Sequence, residues 1–140
     1  MTSAFADTSY WVAIIHPRDS LHDKAIDTAR ELAPLRIVTT EMVLVEFLNF
    51  FSKYGWRLRE SAIRAVHRIV SDPNTLVISQ TPKQFERACQ DYGAYRDKRW
   101  SLTDCASFNA MNEYSLGIAL TEDEHFEQRG YVAALRNSDS

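Results

Sequence analysis

Short apolar runs alternate along the chain with longer segments in which apolar residues recur every three or four positions. Runs of the first kind predict strands, and segments of the second kind predict amphipathic helices. The predicted strands cover residues 4–6, 37–38, 75–78, 117–120 and 131–133. The predicted helices cover residues 10–15, 20–33, 41–54, 58–70, 82–95 and 102–114, with a short one around 125–126. This alternation indicates an α/β protein with a central, mainly parallel sheet.

Polar residues at the predicted helix starts support these boundaries. Thr81 can cap the helix at 82–95, Pro82 occupies its first position, and Gln84 completes a capping box with Thr81. Ser20 with Asp23 predicts a second capping box, and Thr40 is expected to cap the helix at 41–54. Pro34 ends the helix before it.

Apolar side chains at helical spacing define the faces that we expect to be buried. On the helix at 58–70 these are Ile63, Val66, Ile69 and Val70. On the helix at 82–95 they are Phe85, Ala88, Cys89, Tyr92 and Tyr95. The helix at 41–54 is apolar on nearly all sides, which predicts that it is buried.

Length and composition are those of one globular domain. The chain has 140 residues, of which 45% are hydrophobic and 25% are charged, enough to build a real core. We assign residues 1–136 to a single domain and residues 137–140 to a polar tail. The formal net charge of -3 does not indicate a nucleic-acid-binding protein, although local patches matter more than the total.

The cysteines and the N-terminal residues indicate the cellular compartment of the protein. Cys89 and Cys105 are far apart and form no CxxC motif, which argues against a disulfide framework or a zinc site and fits a reducing cytoplasm. The N-terminus lacks a basic region and Asp7 interrupts its apolar stretch, so we expect no signal peptide. No apolar run is long enough to span a bilayer. We therefore expect a cytoplasmic protein without membrane segments.

Each of four acidic residues has both a structural and a functional interpretation. Asp7 and Asp123 each follow a predicted strand, where α/β proteins bind ligands, but either could cap a helix or turn. Asp104 lies three residues after a serine, and this spacing is that of a capping box. Glu46 is surrounded by apolar residues in the predicted buried helix, so it needs an ion pair, a hydrogen bond or a metal.

One arrangement accounts for all four acids together, namely a pocket that holds hard divalent cations. Mg²⁺ and Mn²⁺ prefer carboxylate and water oxygens as ligands. The four histidines are scattered along the sequence and form no cluster that would compete for a softer metal. The sequence therefore predicts a site for Mg²⁺ or Mn²⁺ built from carboxylates.

At these residues the chain resembles the PIN-domain family of metal-dependent nucleases, and most of all its small single-domain ribonucleases, which include the VapC toxins. The resemblance covers nearly the whole chain and rests on ADTS at 6–9, EFLN at 46–49, SLTDCASF at 101–108 and LTEDEHF at 120–126. It implies a three-layer α/β/α fold with Asp7, Glu46, Asp104 and Asp123 as the catalytic and metal-binding quartet.

The resemblance also implies an activity and partners. The expected activity is endoribonucleolytic hydrolysis of RNA phosphodiester bonds, the expected partner is an antitoxin that covers the pocket, and the expected assembly is a homodimer. Thr8 is a supporting pocket residue, and we group Thr103 with it. Asn49 shares the helix face of Glu46 and is expected to orient it. Many relatives have a basic residue where this chain has Glu124, so the rim of this pocket is more negative.

RNA must approach an acidic pocket, so basic residues are expected to offset the repulsion. The first candidates lead directly into the segment of Asp104 and are Arg96, Lys98 and Arg99. The second candidates lie on or just before the helix at 58–70 and are Lys53, Arg57, Arg64 and Arg68. For the arginines of that helix, a solvated face is the competing interpretation.

Other readings of the acids are less consistent with the sequence. A receiver domain needs an acceptor aspartate after the third strand, where this chain has Ser79-Gln80-Thr81. A haloacid-dehalogenase-type phosphatase needs Asp-x-Asp after the first strand, where this chain has Asp7-Thr8-Ser9. A non-catalytic binding module with the same fold and a housekeeping ribonuclease without an antitoxin both remain open. The sequence does not give the RNA target, the number of metal ions or the dimer surface.

Overall fold

The computed structural model describes residues 1–136, which form one five-stranded sheet with every neighbouring pair of strands parallel. The strands are β1 (Thr2–Ala6), β2 (Leu35–Thr40), β3 (Thr75–Ile78), β4 (Ile118–Leu120) and β5 (Val132–Ala133). Their order across the sheet is β3-β2-β1-β4-β5. The predicted parallel sheet is confirmed. The polar tail predicted at residues 137–140 lies outside the described residues.

Helices connect the strands and give the chain the predicted three-layer α/β/α architecture. They are α1 (Thr8–Ile15), α2 (His22–Leu32), α3 (Glu41–Phe50), α4 (Trp56–Ser71), α5 (Pro82–Ala94), α6 (Leu102–Glu113) and α7 (Glu124–Gln128). The helix predicted at 41–54 ends at Phe50 and continues as a 3₁₀ turn over Phe51–Lys53. Within residues 1–136 no helix is both long enough and apolar enough to cross a bilayer.

Of the helix caps predicted at Ser20, Thr40 and Thr81, the last two are present. The hydroxyl of Thr40 accepts a hydrogen bond from the backbone N–H of Val43, and Thr81 with Gln84 forms a complete capping box. The capping box predicted at Ser20 is wrong. Helix α2 begins later, and the carboxylate of Asp19 instead accepts the N–H of Leu21, which turns the chain before the helix.

An aromatic cluster packs one side of β1 and fixes α6 and α7 on the sheet. The ring of Phe126 lies 6.3 Å from that of Phe5 and 5.0 Å from that of Phe108, measured between centroids. Phe5 and Phe126 are fully buried, and burial of each such ring is worth about 1.5–3 kcal/mol. This packing holds the first turns of α6 and α7 in fixed positions, and both turns carry residues of the acidic quartet.

Three helices leave more apolar surface exposed than their patterns predict. Glu46 is exposed on α3, as is Val45, so the prediction that Glu46 lies inside a buried helix is wrong. On α5 only Ala88 is buried, and on α4 the predicted inward residues Ile63 and Val70 are half exposed. Each of these helices contacts the rest of the domain along one narrow stripe, which apolar periodicity alone does not locate.

The strand order creates a crevice beside β1. From β1 the chain passes to β2 on one side, and it returns to β4 on the other side. The segments that follow β1 and β4 therefore diverge at the carboxyl edge of the sheet, which is where open α/β sheets bind ligands. Asp7 directly follows β1, and Thr121-Glu122-Asp123 directly follows β4, so the fold places these residues at the crevice.

Candidate active site

Thr121 joins the two strand ends that border the crevice. Its hydroxyl donates to Asp7 Oδ2 at 2.8 Å and accepts the backbone N–H of Asp123 at 3.0 Å. The backbone N–H of Asp7 also donates to the carbonyl of Leu120 at 3.2 Å. Thr121 has no solvent exposure, so these bonds form in a dry environment where they are strong. They fix Asp7 relative to Asp123.

Glu46 reaches the crevice from α3 and is held there by Thr8. The hydroxyl of Thr8, at the start of α1, donates to Glu46 Oε1 at 2.5 Å. Asn49, which was expected to orient Glu46, is exposed and forms no side-chain hydrogen bond with it. Asn49 and Thr103 instead line a shallow depression next to Glu46. Thr8 is therefore the residue that orients this carboxylate.

Asp104 has a structural role as well as its predicted functional one. Ser101 and Asp104 form a complete capping box at the start of α6, in which Asp104 Oδ2 accepts the N–H of Ser101 at 3.0 Å. The same oxygen lies 2.9 Å from Nδ1 of His125. Asp104 is buried, and these contacts hold its carboxyl group in one orientation.

His125 connects Asp104 with Asp123. Asp123 caps α7, and its Oδ1 accepts the backbone N–H of His125 at 2.9 Å. The ring nitrogen Nδ1 of His125 lies 3.3 Å from the same oxygen. One potential ligand atom from each of the three residues lies within 4.8 Å of the others. The expectation that all four histidines are scattered is wrong for His125, because α7 returns its ring to the start of α6.

Two of the buried carboxyl groups have raised pKa values. Burial raises the pKa of Asp7 from 3.8 to about 7, and the charges of Asp104 and Glu46 add to this rise. The hydrogen bond from Thr121 and that from the backbone of Thr8 act in the opposite direction. Burial also raises the pKa of Asp104, and the charge of Asp123 contributes, while Ser101 and His125 oppose it. In both residues burial is the larger cause, and the charges of neighbouring acids add to it.

The acids open onto a cleft of about 610 Å³. Its lining includes Asp7, Glu46 and Asp123 from the quartet, the further acids Asp19, Glu122 and Glu124, and one basic residue, Arg136. Asp104 does not line this cleft and lies behind it, against His125. The negative rim inferred from Glu124 is therefore present.

The basic residues predicted to contact RNA lie outside the cleft lining. Arg96, Lys98 and Arg99 are exposed in the segment before Trp100, and Lys98 pairs with Asp97 at 3.6 Å. Arg57, Arg64 and Arg68 are exposed on α4. Arg64 pairs with Glu60 at 3.2 Å, as expected for an ordinary solvated helix face.

The donor set fits a hard divalent cation. The hydrogen bonds described above engage one oxygen of each acid in the quartet. Among residues 1–136, no side-chain hydrogen bond reaches the second oxygen of Glu46, Asp104 or Asp123. Carboxylate oxygens of this kind, pinned through one atom and open at the other, are the ligands that Mg²⁺ and Mn²⁺ prefer. The residues that could hold such an ion are Asp7, Glu46, Asp104 and Asp123.

Sequence reasoning missed three residues at this site. The sequence could have indicated Thr121, because it directly follows β4 as Asp7 directly follows β1, and the last residues of these two parallel strands are paired. His125 follows Asp123 by two residues in the first turn of α7, which places its backbone beside that carboxylate. Arg136 had no local signal, because its position depends on how the chain continues after β5.

Comparison with known proteins identifies the family and the fold of the chain. The PIN domain family model matches residues 4–130. The crystal structure of VapC20 from Mycobacterium tuberculosis, described as a toxin that cleaves the sarcin–ricin loop, has a TM-score of 0.82. That match has 23% sequence identity and covers 93% of this chain and 97% of the other, so it shows a shared fold. No curated protein sequence matches the chain. Because the family match spans almost its whole length, the chain belongs to the PIN-domain family.

Proposed function

We propose that this protein is a metal-dependent endoribonuclease that acts as the toxin of a toxin–antitoxin pair. The observation that carries the proposal is the arrangement of the four acids: Asp7, Glu46 and Asp123 line the cleft, and His125 joins Asp104 to Asp123. The family to which the chain belongs and the name of the VapC20 structure support this direction. Because RNA is the proposed substrate, we place its action in the cytoplasm.

The proposed reaction is hydrolysis of an RNA phosphodiester bond. A bound Mg²⁺ or Mn²⁺ would supply a water of lowered pKa and would stabilise negative charge on the scissile phosphate. Asp7, Glu46, Asp104 and Asp123 would hold that ion. Thr8 keeps the carboxylate of Glu46 aimed at the cleft, and His125 keeps the carboxyl group of Asp104 from rotating.

Arg136 is the basic group best placed to position the phosphate. Its guanidinium donates to the carbonyl of Glu122 at 3.1 Å and pairs with Glu127 at 2.7 Å, so the side chain is fixed at the cleft. With Nε and Nη1 engaged in these contacts, Nη2 is the guanidinium nitrogen left to donate to a phosphate oxygen, and the group remains charged at any relevant pH. We propose that Arg136 offsets part of the repulsion between the acidic rim and the RNA backbone.

The direct test is cleavage of RNA by the purified protein with chelator, with Mg²⁺ and with Mn²⁺. We expect cleavage with either ion and none in chelator, because the carboxylates alone repel the substrate. Single-stranded oligonucleotides and a stem-loop RNA would be compared as substrates. Failure to cleave any RNA with either ion, in a protein that binds RNA, would favour the non-catalytic binding module.

We further propose that an antitoxin covers the acidic cleft and that the chain forms a homodimer. An arginine of the antitoxin would pair with the exposed acids of the rim. Val45 on α3 and Val70 on α4 are exposed and line one depression, which is the surface best suited to the dimer.

Expression of the protein alone is expected to arrest growth. Co-expression with the adjacent gene should restore growth, and the product of that gene should copurify with this chain. An active enzyme that is not toxic on expression would instead indicate a housekeeping ribonuclease.

A further inference from the structure

The chain between α3 and α4 carries aromatic side chains from the cleft to the surface. Phe50 lines the cleft, and its ring stacks on that of Tyr54 with centroids 5.3 Å apart and planes 28° from parallel. Tyr54 is 42% exposed, and Trp56, two residues further on, is 68% exposed. The other two tryptophans, Trp11 and Trp100, are buried in the core. Residues 50–57 therefore present flat apolar surfaces to solvent beside the acidic site.

Each exposed aromatic ring has a basic side chain over it. Lys53 Nζ lies 5.8 Å from the ring centroid of Tyr54, and Arg57 Cζ lies 5.2 Å from that of Trp56. Within residues 1–136, neither Lys53 nor Arg57 has a carboxylate within ion-pair distance. Their positive charge is therefore not neutralised locally, unlike that of the paired Arg64 on the same helix.

We propose that residues 50–57 form a stacking site for single-stranded RNA, and this proposal rests on the ribonuclease function proposed above. A base of the RNA strand stacks on the exposed ring of Trp56, which the stacked pair of Phe50 and Tyr54 connects to the cleft, while Lys53 and Arg57 contact the neighbouring phosphates. Aromatic platforms interleaved with basic side chains bind single strands in this way. Continuity with the cleft through Phe50 places the site on the path of a strand that enters the active site.

Charge favours RNA over a protein partner as the occupant of this surface. The cleft rim is acidic, so the strand gains its electrostatic attraction beyond the rim, where Lys53 and Arg57 lie. The centre of a protein–protein interface is usually depleted of charged residues. Here, in contrast, a basic side chain without an ion-pair partner lies over each ring. Because Trp56 is 68% exposed, substituting it disturbs little of the core.

The experiment measures binding of a fluorescent single-stranded oligoribonucleotide to the uncleaving Asp104→Asn protein over a range of salt concentrations. We expect Trp56→Ala to weaken binding roughly 5- to 150-fold, the range that corresponds to loss of one stacked base. The salt dependence should stay unchanged, because no phosphate contact is lost. Trp56→Phe keeps an aromatic face and should restore most of the affinity.

The basic residues should give the complementary result. Arg57→Gln or Lys53→Gln should reduce the slope of log affinity against log salt by about 0.7, the value for one phosphate contact on a single strand. The matched controls are Tyr92→Ala, which removes an exposed aromatic residue from α5, and Arg30→Gln, which removes an exposed arginine from α2. Neither control should alter affinity or slope. RNA should also quench the emission of Trp56 and leave that of the buried tryptophans.

Several results would overturn the stacking site. Binding by Trp56→Ala within twofold of the parent protein would do so, even if RNA cleavage by the wild type is metal-dependent. Unchanged RNA affinity together with loss of a dimer in Trp56→Ala would assign the surface to a protein interface. The converse outcome is a wild-type protein that cleaves no RNA and still binds it in a way that depends on Trp56 and Arg57. That result would support the stacking site and contradict the proposed nuclease function.

Discussion

Asp104→Asn is expected to reduce metal-dependent RNA cleavage by at least about 100-fold while the protein stays folded. The substitution removes a charged ligand from the proposed metal site, whose contribution to the barrier is several kcal/mol, and each 1.36 kcal/mol is tenfold in rate. Asparagine keeps an oxygen that accepts the N–H of Ser101, so the cap of α6 is retained. Initial cleavage rates and circular dichroism of the same preparations measure the two effects.

Asp97→Asn is the matched control for this prediction. It removes one carboxylate seven residues earlier in the chain, from a side chain that is 78% exposed and lies outside the cleft. Its cleavage rate should equal that of the wild type. Near-normal cleavage by Asp104→Asn, in a preparation free of contaminating nuclease, would show that Asp104 is a helix cap and no more.

Asp7→Asn is expected to raise the melting temperature of the metal-free protein at pH 7.5 by about 10 °C, since 1 kcal/mol shifts the melting temperature of a domain of this size by about 2–4 °C. Burial raises the pKa of Asp7 from 3.8 in the unfolded chain to about 7 in the fold, which corresponds to about 4 kcal/mol. At pH 7.5 the wild type must carry this buried charge, and the variant does not. Asparagine also retains an oxygen that accepts the hydroxyl of Thr121.

The same pKa shift predicts how stability depends on pH. Between pH 3.8 and about 7 the folded protein holds a proton on Asp7 that the unfolded chain has lost. Stability from this group is therefore complete below pH 3.8 and is lost as the pH rises through 7. The difference in unfolding free energy between Asp7→Asn and the wild type should accordingly grow over this range and level off above it.

Metal should reverse the order of the two proteins. A ligand that binds only the folded state stabilises it by about 4.1 kcal/mol at a thousandfold excess over its Kd, so the order reverses above roughly that excess of Mn²⁺. The wild type should gain this from Mn²⁺, and Asp7→Asn should gain much less because it lacks one ligand. Asp27→Asn, an exposed substitution on α2, should respond as the wild type does. Equal responses to Mn²⁺ from Asp7→Asn and the wild type would mean that Asp7 is not part of a metal site.

The pattern of the sequence predicted the elements better than it predicted their exposed faces. Strand ends could be placed together because parallel strands share an edge, and this brought Asp7 and Asp123 to one crevice. Counting apolar neighbours failed for Glu46, because an apolar helix with one open face has the same composition as a buried one. His125 was missed because its approach to Asp104 depends on the packing of α7 against α6, which no local pattern records.

Asp7 and Thr121 are 114 residues apart in the sequence, yet one hydrogen bond joins them. A ribosome that makes this chain completes β1 long before β4 exists. Until then Asp7 has no Thr121 to hold it, and Asp123 has not been added. The cleft therefore cannot be complete on a partly made chain, and the proposed ribonuclease activity is expected only after synthesis has passed Asp123.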